Sequence, residues 1–146
     1  MIINYKRLIM SAYTEIRDRI WEGVEMGDCF FAFGKRQFEE AVKEKGLEES
    51  KILSAGQGLY GTKEGIENYV NRRIKQIEDL YAETRERCTS QEVYDYEFAN
   101  HECGYICDDE EAIKRVIEVF GVTRTGNEVK RRFGYYDINA YADKNR

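Results

Sequence analysis

Proline is absent from this 146-residue chain. The residue that interrupts helices most sharply is therefore missing throughout, which favours a helix-rich fold. One stretch uses that freedom at length. From Lys63 to about Arg87, Ile66, Tyr69, Val70, Ile74, Ile77, Leu80 and Tyr81 form a single apolar stripe at helical spacing. Thr62 stands in front of it as a candidate N-cap, a hydroxyl placed to accept from the free amides of the first turn.

The remaining elements follow from spacing and punctuation. Ile2, Tyr5, Ile9, Ala12, Tyr13, Ile16, Ile20 and Val24 predict an N-terminal helix over about 2–26, stopped by Gly27. Cys29 to Phe33 is a short aromatic run and predicts a buried strand. Lys35 to Lys45 predicts a helix ended by Gly46. Ile52 to Ala55 and Leu59 to Gly61 predict two antiparallel strands turning through Gly56-Gln57-Gly58. Thr89 to Glu92 has the form of a capping box opening a helix from Ser90 to about Cys103, with Gly104 as its stop. Asp108 to Glu111 repeats that signal before a helix through Phe120, closed by Gly121. Thr125 to Glu128 repeats it again before Val129 to Phe133. The tail after Gly134 either packs through its tyrosines or frays. The expectation is an α+β fold, a helix-dominated single domain over 1–146 with a small two- or three-stranded sheet. Its parts would be an N-terminal helix over about 2–26, an α+β core over about 29–121 and a C-terminal helical tail over about 122–146.

Composition narrows the partners. The formal net charge is −5, which disfavours binding nucleic acid through phosphate contacts and leaves a basic protein surface as a partner. No apolar run approaches the roughly 20 residues of a membrane span. The charged N-terminus is unlike a secretory signal, and the four scattered cysteines, Cys29, Cys88, Cys103 and Cys107, show no disulfide framework. A cytoplasmic protein with reduced thiols is expected.

Four places have residues capable of chemistry. On a helix, Glu97 and His101 are four apart and share a face with Tyr94. A carboxylate beside an imidazole sets its tautomer and basicity, so the pair is a candidate for proton transfer, or else a structural helix pair. His101, Cys103 and Cys107 with Cys88 or Cys29 hold zinc-ligand chemistry, but positions 101 and 103 diverge on a helix, and no metal or other cofactor is expected. Gly56-Gln57-Gly58-Leu59-Tyr60-Gly61 satisfies G-x-G-x-x-G, and with Lys63 it is a candidate phosphate turn. The acidic strand end that a dinucleotide fold places about 20 residues on is missing, and a glycine hairpin leading into a capped helix is the alternative. Asn71-Arg72-Arg73 with Lys75, and Lys130-Arg131-Arg132, would hold an anion or form solvated helix faces.

Three stretches resemble a family of small proteins encoded by bacteriophages and other mobile elements of gut-type bacteria. They are carried by Phe31, Phe33, Gln37, Phe38 and Glu40, then Gly56, Gly58 and Tyr60, then Tyr96, Glu97, Asn100, His101 and Glu102. Gly61 and Thr62 depart from the isoleucine and charged residue of that pattern. The resemblance implies a phage setting and a host cytosol, and it brings no activity with it. The expected function is non-enzymatic protein–protein binding by a phage or mobile-element accessory protein, with a host defence factor as the class of target. The expected interaction residues are Tyr94, Tyr96, Asn100 and His101. A phage protein or a second copy of the chain is an alternative partner. The alternative function is a nucleotide- or phosphate-binding protein or hydrolase using Glu97 and His101 with the Gly56–Gly61 turn.

Overall fold

The computed structural model describes residues 12–134 and 136–144. Among them the chain is a helix-dominated α+β protein with a small antiparallel sheet, as the periodicities predict. It divides into two compact units: Glu22–Glu78, and the flanking segments up to Trp21 and from Asp79 onward.

The Glu22–Glu78 unit is built on strands β1 (Cys29–Phe31), β2 (Leu53–Gly56) and β3 (Leu59–Gly61) in the order β1-β3-β2. Gln57 and Gly58 both have positive φ, 53° and 82°. A two-residue hairpin needs this geometry if its turn is to follow the twist of the strands. Directly paired residues share a face. On one face Phe30 and Tyr60 meet Phe38 of α2 (Lys35–Lys45) in a cluster with ring centroids 5.0–5.9 Å apart. On the other face lie Cys29, Gly61 and Leu53. Here the long helix, called α3 below (Lys63–Arg87), approaches so closely that a Cβ on Gly61 or Gly65 would lie 2.5 Å from the Asp28 carbonyl oxygen. Thr62 caps α3, its Oγ1 accepting from the Gly65 amide at 3.0 Å.

The predicted strand Cys29 to Phe33 is shorter than expected, Cys29–Phe31, and only partly buried. Cys29, Phe30 and Ala32 are buried, while Phe31 is 46 % and Phe33 78 % exposed. Phe31 and Phe33, two residues apart, fall on the same face, stack on each other at 6.5 Å and stay largely uncovered.

The second unit packs α1 (Ala12–Arg19), α4 (Ser90–Asn100) and α6 (Glu110–Phe120) around a core that includes Tyr13, Ile16, Leu80, Val93, Tyr94, Ile113 and Val116. The Thr89 capping box is present in both directions. The chain continues through α5 (Cys103–Ile106), α7 (Val122–Glu128) and α8 (Ile138–Lys144). The tail packs onto the core through Tyr136 and Tyr141.

Three boundaries differ from the sequence expectation. Residues 2–11 of the predicted N-terminal helix lie outside the described residues. The described part stops at Arg19 rather than near 26, because Gln76 and Arg72 of α3 donate to the Glu22 and Glu25 carbonyls at 2.9 and 2.8 Å and use them outside a helix. The helix expected from Ser90 to Cys103 ends at Asn100. Glu102 turns left-handed, with φ 51°, and starts α5, so Gly104 lies inside a helix instead of stopping one. The reversal puts Cys103 in the core and Tyr105 in solvent, whereas α4 continued along its buried stripe would face position 105 inward. The helix expected over Val129 to Phe133 lies earlier, at Val122–Glu128. The Lys130 and Arg132 amides are instead taken by Gln91 Oε1 at 2.7 Å and the Tyr94 hydroxyl at 2.9 Å.

Candidate functional site

The histidine helix brings its candidate residues together. Glu97 is wholly buried, and both its oxygens are engaged. Oε1 accepts from the Tyr13 hydroxyl at 2.6 Å and from Arg17 Nε at 2.8 Å, and Oε2 lies 3.0 Å from His101 Nε2. The Arg17 guanidinium lies over the Tyr96 ring at 5.4 Å, and Tyr96 meets Tyr13 edge-on at 5.2 Å. Burial, and after it the hydrogen bond to Glu97, pushes the Tyr13 hydroxyl far above its ordinary range. Burial works against the Arg17 charge, but the adjacent Glu97 carboxylate outweighs it and raises the guanidinium further. A carboxylate held by a phenol, a guanidinium and an imidazole has no oxygen left pointing at a substrate. His101, with its side chain 34 % exposed, reaches the surface more than Arg17 at 18 %.

The expected interaction residues separate. Tyr94 is fully buried and so is removed from any docking surface. Its hydroxyl donates to Asp109 Oδ2 at 3.0 Å and accepts from the Arg132 amide. Tyr96 is half-buried beneath Arg17, His101 is half-buried, and Asn100 is exposed.

The glycine turn forms the hairpin described above. The Gly58 Cα lies against the Phe33 ring, where a Cβ would come within 2.6 Å. Two amides at the start of α3 have partners within the chain: Thr62 N–H donates to the Asp28 carbonyl and Gly65 N–H to Thr62 Oγ1. Close backbone contact and capping account for Gly58, Gly61 and Thr62 without a phosphate, while Gly56 supplies a positive φ and Lys63 is exposed.

The basic clusters are engaged too. Arg72 holds the Glu25 carbonyl, and Arg73 bonds Gln76. Arg131 clasps buried Asp109 through two parallel hydrogen bonds and also donates to the Tyr136 carbonyl at 2.9 Å. The sequence hints at this arrangement only through an acidic turn and a basic run 22 residues apart. Cys29, Cys88 and Cys103 are buried, and their thiols are pushed up by burial, which disfavours the reactive thiolate. Among the described residues no group of three or more His, Cys, Asp or Glu side chains is arranged to hold a metal ion. Likewise, no helix among them is long and apolar enough to cross a membrane.

Together these features define a helix-dominated α+β protein with a three-stranded antiparallel sheet and a histidine–carboxylate pair whose carboxylate is buried in the core packing and whose imidazole is half-buried. Residues 12–134 match a protein family described as "Family of unknown function (DUF7659)", and the chain belongs to that family. No curated protein and no solved structure matches it.

Proposed function

We propose that the protein acts by binding another protein rather than by catalysis. In this reading it is a phage or mobile-element accessory protein, and its target is a host defence factor met in the host cytoplasm. The phage setting and the target class come from the sequence resemblance. The binding mode is supported by one observation, the exposed apolar surface about α3. Phe31 and Leu53 lie on the sheet face next to α3, Phe31 meeting Tyr69 edge-on at 6.1 Å, and Val70 and Ile74 stand one turn apart on α3 itself. Large apolar side chains grouped in solvent cost free energy unless a partner covers them, and such patches mark interaction surfaces. The engagement of Glu97 supports the same reading, because it leaves the histidine pair with a packing role.

The test is capture of a target from host lysate, followed by calorimetry with the purified target. A Val70→Asp, Ile74→Asp double variant is expected to bind roughly tenfold or more weakly, about 1.4 kcal/mol, while His101→Ala binds as before. Binding that survives the double variant, or is lost in His101→Ala with the melt unchanged, rejects the reading.

A further inference from the structure

Two exposed features of this chain are complementary to each other. The first is a knob. Helix α5 is a single turn held between two non-glycine residues in the left-handed region, Glu102 (φ 51°) and Cys107 (φ 52°). Such backbone is costly for residues with a Cβ, and where it persists it tends to serve a purpose beyond packing. Here it turns Tyr105 and Ile106 outward, 93 % and 64 % exposed. The surroundings are acidic. Glu102, Asp108, Glu110 and Glu111 flank the turn, and Lys114, which reaches Glu110 at 3.0 Å and Glu111 at 4.0 Å, offsets part of that charge.

The second feature is a groove of about 480 Å³ in the Glu22–Glu78 unit, walled by Phe33, Phe38 and Tyr60 and floored by Gly58. Its charged rim is basic. Lys35 lines it and Arg36 follows, both almost fully exposed. The first turn of α2 carries no acidic residue, and its N-cap, Gly34, offers no side-chain acceptor. Glu39 and Glu40, one turn further on, pair with Lys35 and Arg36 at 3.9 and 3.0 Å and offset part of that charge, but only Lys35 of these four lines the groove.

We infer that the groove of one copy takes the Tyr105–Ile106 knob of a second copy. The inference rests on the reading of the chain as a binding protein and assigns a partner to a groove that adjoins the exposed apolar surface at Phe31, on which Phe33 stacks at 6.5 Å. Tyr105 supplies a ring for a site walled by three others, which suits offset or edge-on aromatic contact. The acidic flank of the knob faces the basic rim of the groove, which sets orientation and disfavours groove-to-groove contact. Knob and groove are different surfaces, so the contact is heterologous and each copy brings one of each.

That asymmetry provides the test. Light scattering after size-exclusion chromatography is run on the wild type up to roughly 1 mM, the range of weak interfaces. A mass rising with concentration above the 17.2 kDa monomer is expected. Phe33→Asp and Tyr105→Asp, both changes of exposed side chains, are expected to stay monomeric with unchanged circular dichroism. Mixing the two restores one intact knob and one intact groove, so the mixture gives a 1:1 dimer that grows no further. A wild type that stays monomeric throughout, variants that assemble as the wild type does, or a mixture without dimer overturns the inference. Monomeric wild type that still holds a foreign target ends this inference and leaves the binding reading standing.

Discussion

Arg131 grips Asp109 with two parallel hydrogen bonds, Nε to Oδ2 at 2.8 Å and Nη2 to Oδ1 at 2.7 Å, and the carboxylate is fully buried. The same guanidinium donates to the Tyr136 carbonyl, and the same carboxylate accepts from Tyr94. One ion pair thus joins the start of α6 to the tail. Removing the cation leaves a buried charge with only a phenol beside it. Arg131→Ala is expected to lower unfolding free energy by about 3 kcal/mol. Urea denaturation checks this, with proteolysis of the tail as a second readout.

The Glu97 cluster differs in how its members reach solvent. Glu97→Ala orphans Tyr13 and Arg17 together and is expected to cost about 3 kcal/mol. His101→Ala removes one hydrogen bond at a half-exposed ring and is expected to cost about 1 kcal/mol. Thermal melts of both variants rank them. Equal losses would refute the view that the carboxylate, and not the imidazole, is the centre of the cluster.

Helix propensity and tertiary contact make opposite predictions at Gly65. Alanine is intrinsically better than glycine inside a helix by about 1 kcal/mol. At this position, however, its Cβ would lie 2.5 Å from the Asp28 carbonyl oxygen. Overpacking of this kind costs about 1–3 kcal/mol, so Gly65→Ala is expected to destabilise. Gly126, on α7, has nothing within 4 Å of a built Cβ and no positive φ, so Gly126→Ala is expected to stabilise by about 0.5 kcal/mol. Chemical denaturation of the two variants reads the signs directly.

The pH profile follows from groups whose protonated forms the fold prefers. Burial raises the thiols of Cys29, Cys88 and Cys103 and the phenols of Tyr13, Tyr81 and Tyr94. A folded-state pKa above the unfolded one means the contribution is complete below the unfolded value and is lost as pH rises beyond it. Unfolded thiols ionise near about 8.5 and phenols near about 10, so the urea midpoint is expected to hold to about pH 8 and then fall. Tyr13→Phe is expected to flatten the part of that fall above about pH 10. A midpoint that rises between these values would contradict the burial described here.

Much of the fold was legible from short-range signals. The Thr89 capping box, the left-handed Gly46 after α2 and the two-residue hairpin at Gln57-Gly58 are set by hydrogen bonds spanning at most five residues, and they stand where the sequence placed them. The pairing of Glu97 with His101 was legible for the same reason, since four residues on one helix face meet whatever surrounds them. The end of α1 and the position of α7 were not legible. In each case a side chain from a distant helix, Gln76, Arg72, Gln91 or Tyr94, takes up backbone groups that the local pattern assigned to a helix.

The amino-acid order alone determined the helix-dominated α+β class, the capped starts at Thr62 and Thr89 and the neighbours of the histidine, because those depend on periodicity and on hydrogen bonds within a turn. Only the tertiary structure decided that Glu97 is closed off, by Tyr13 and Arg17 from 84 and 80 residues away. It also decided that Tyr94 lies inside and Tyr105 outside. Burial is a property of what packs across the chain, and no local pattern contains the distant side chain that completes it.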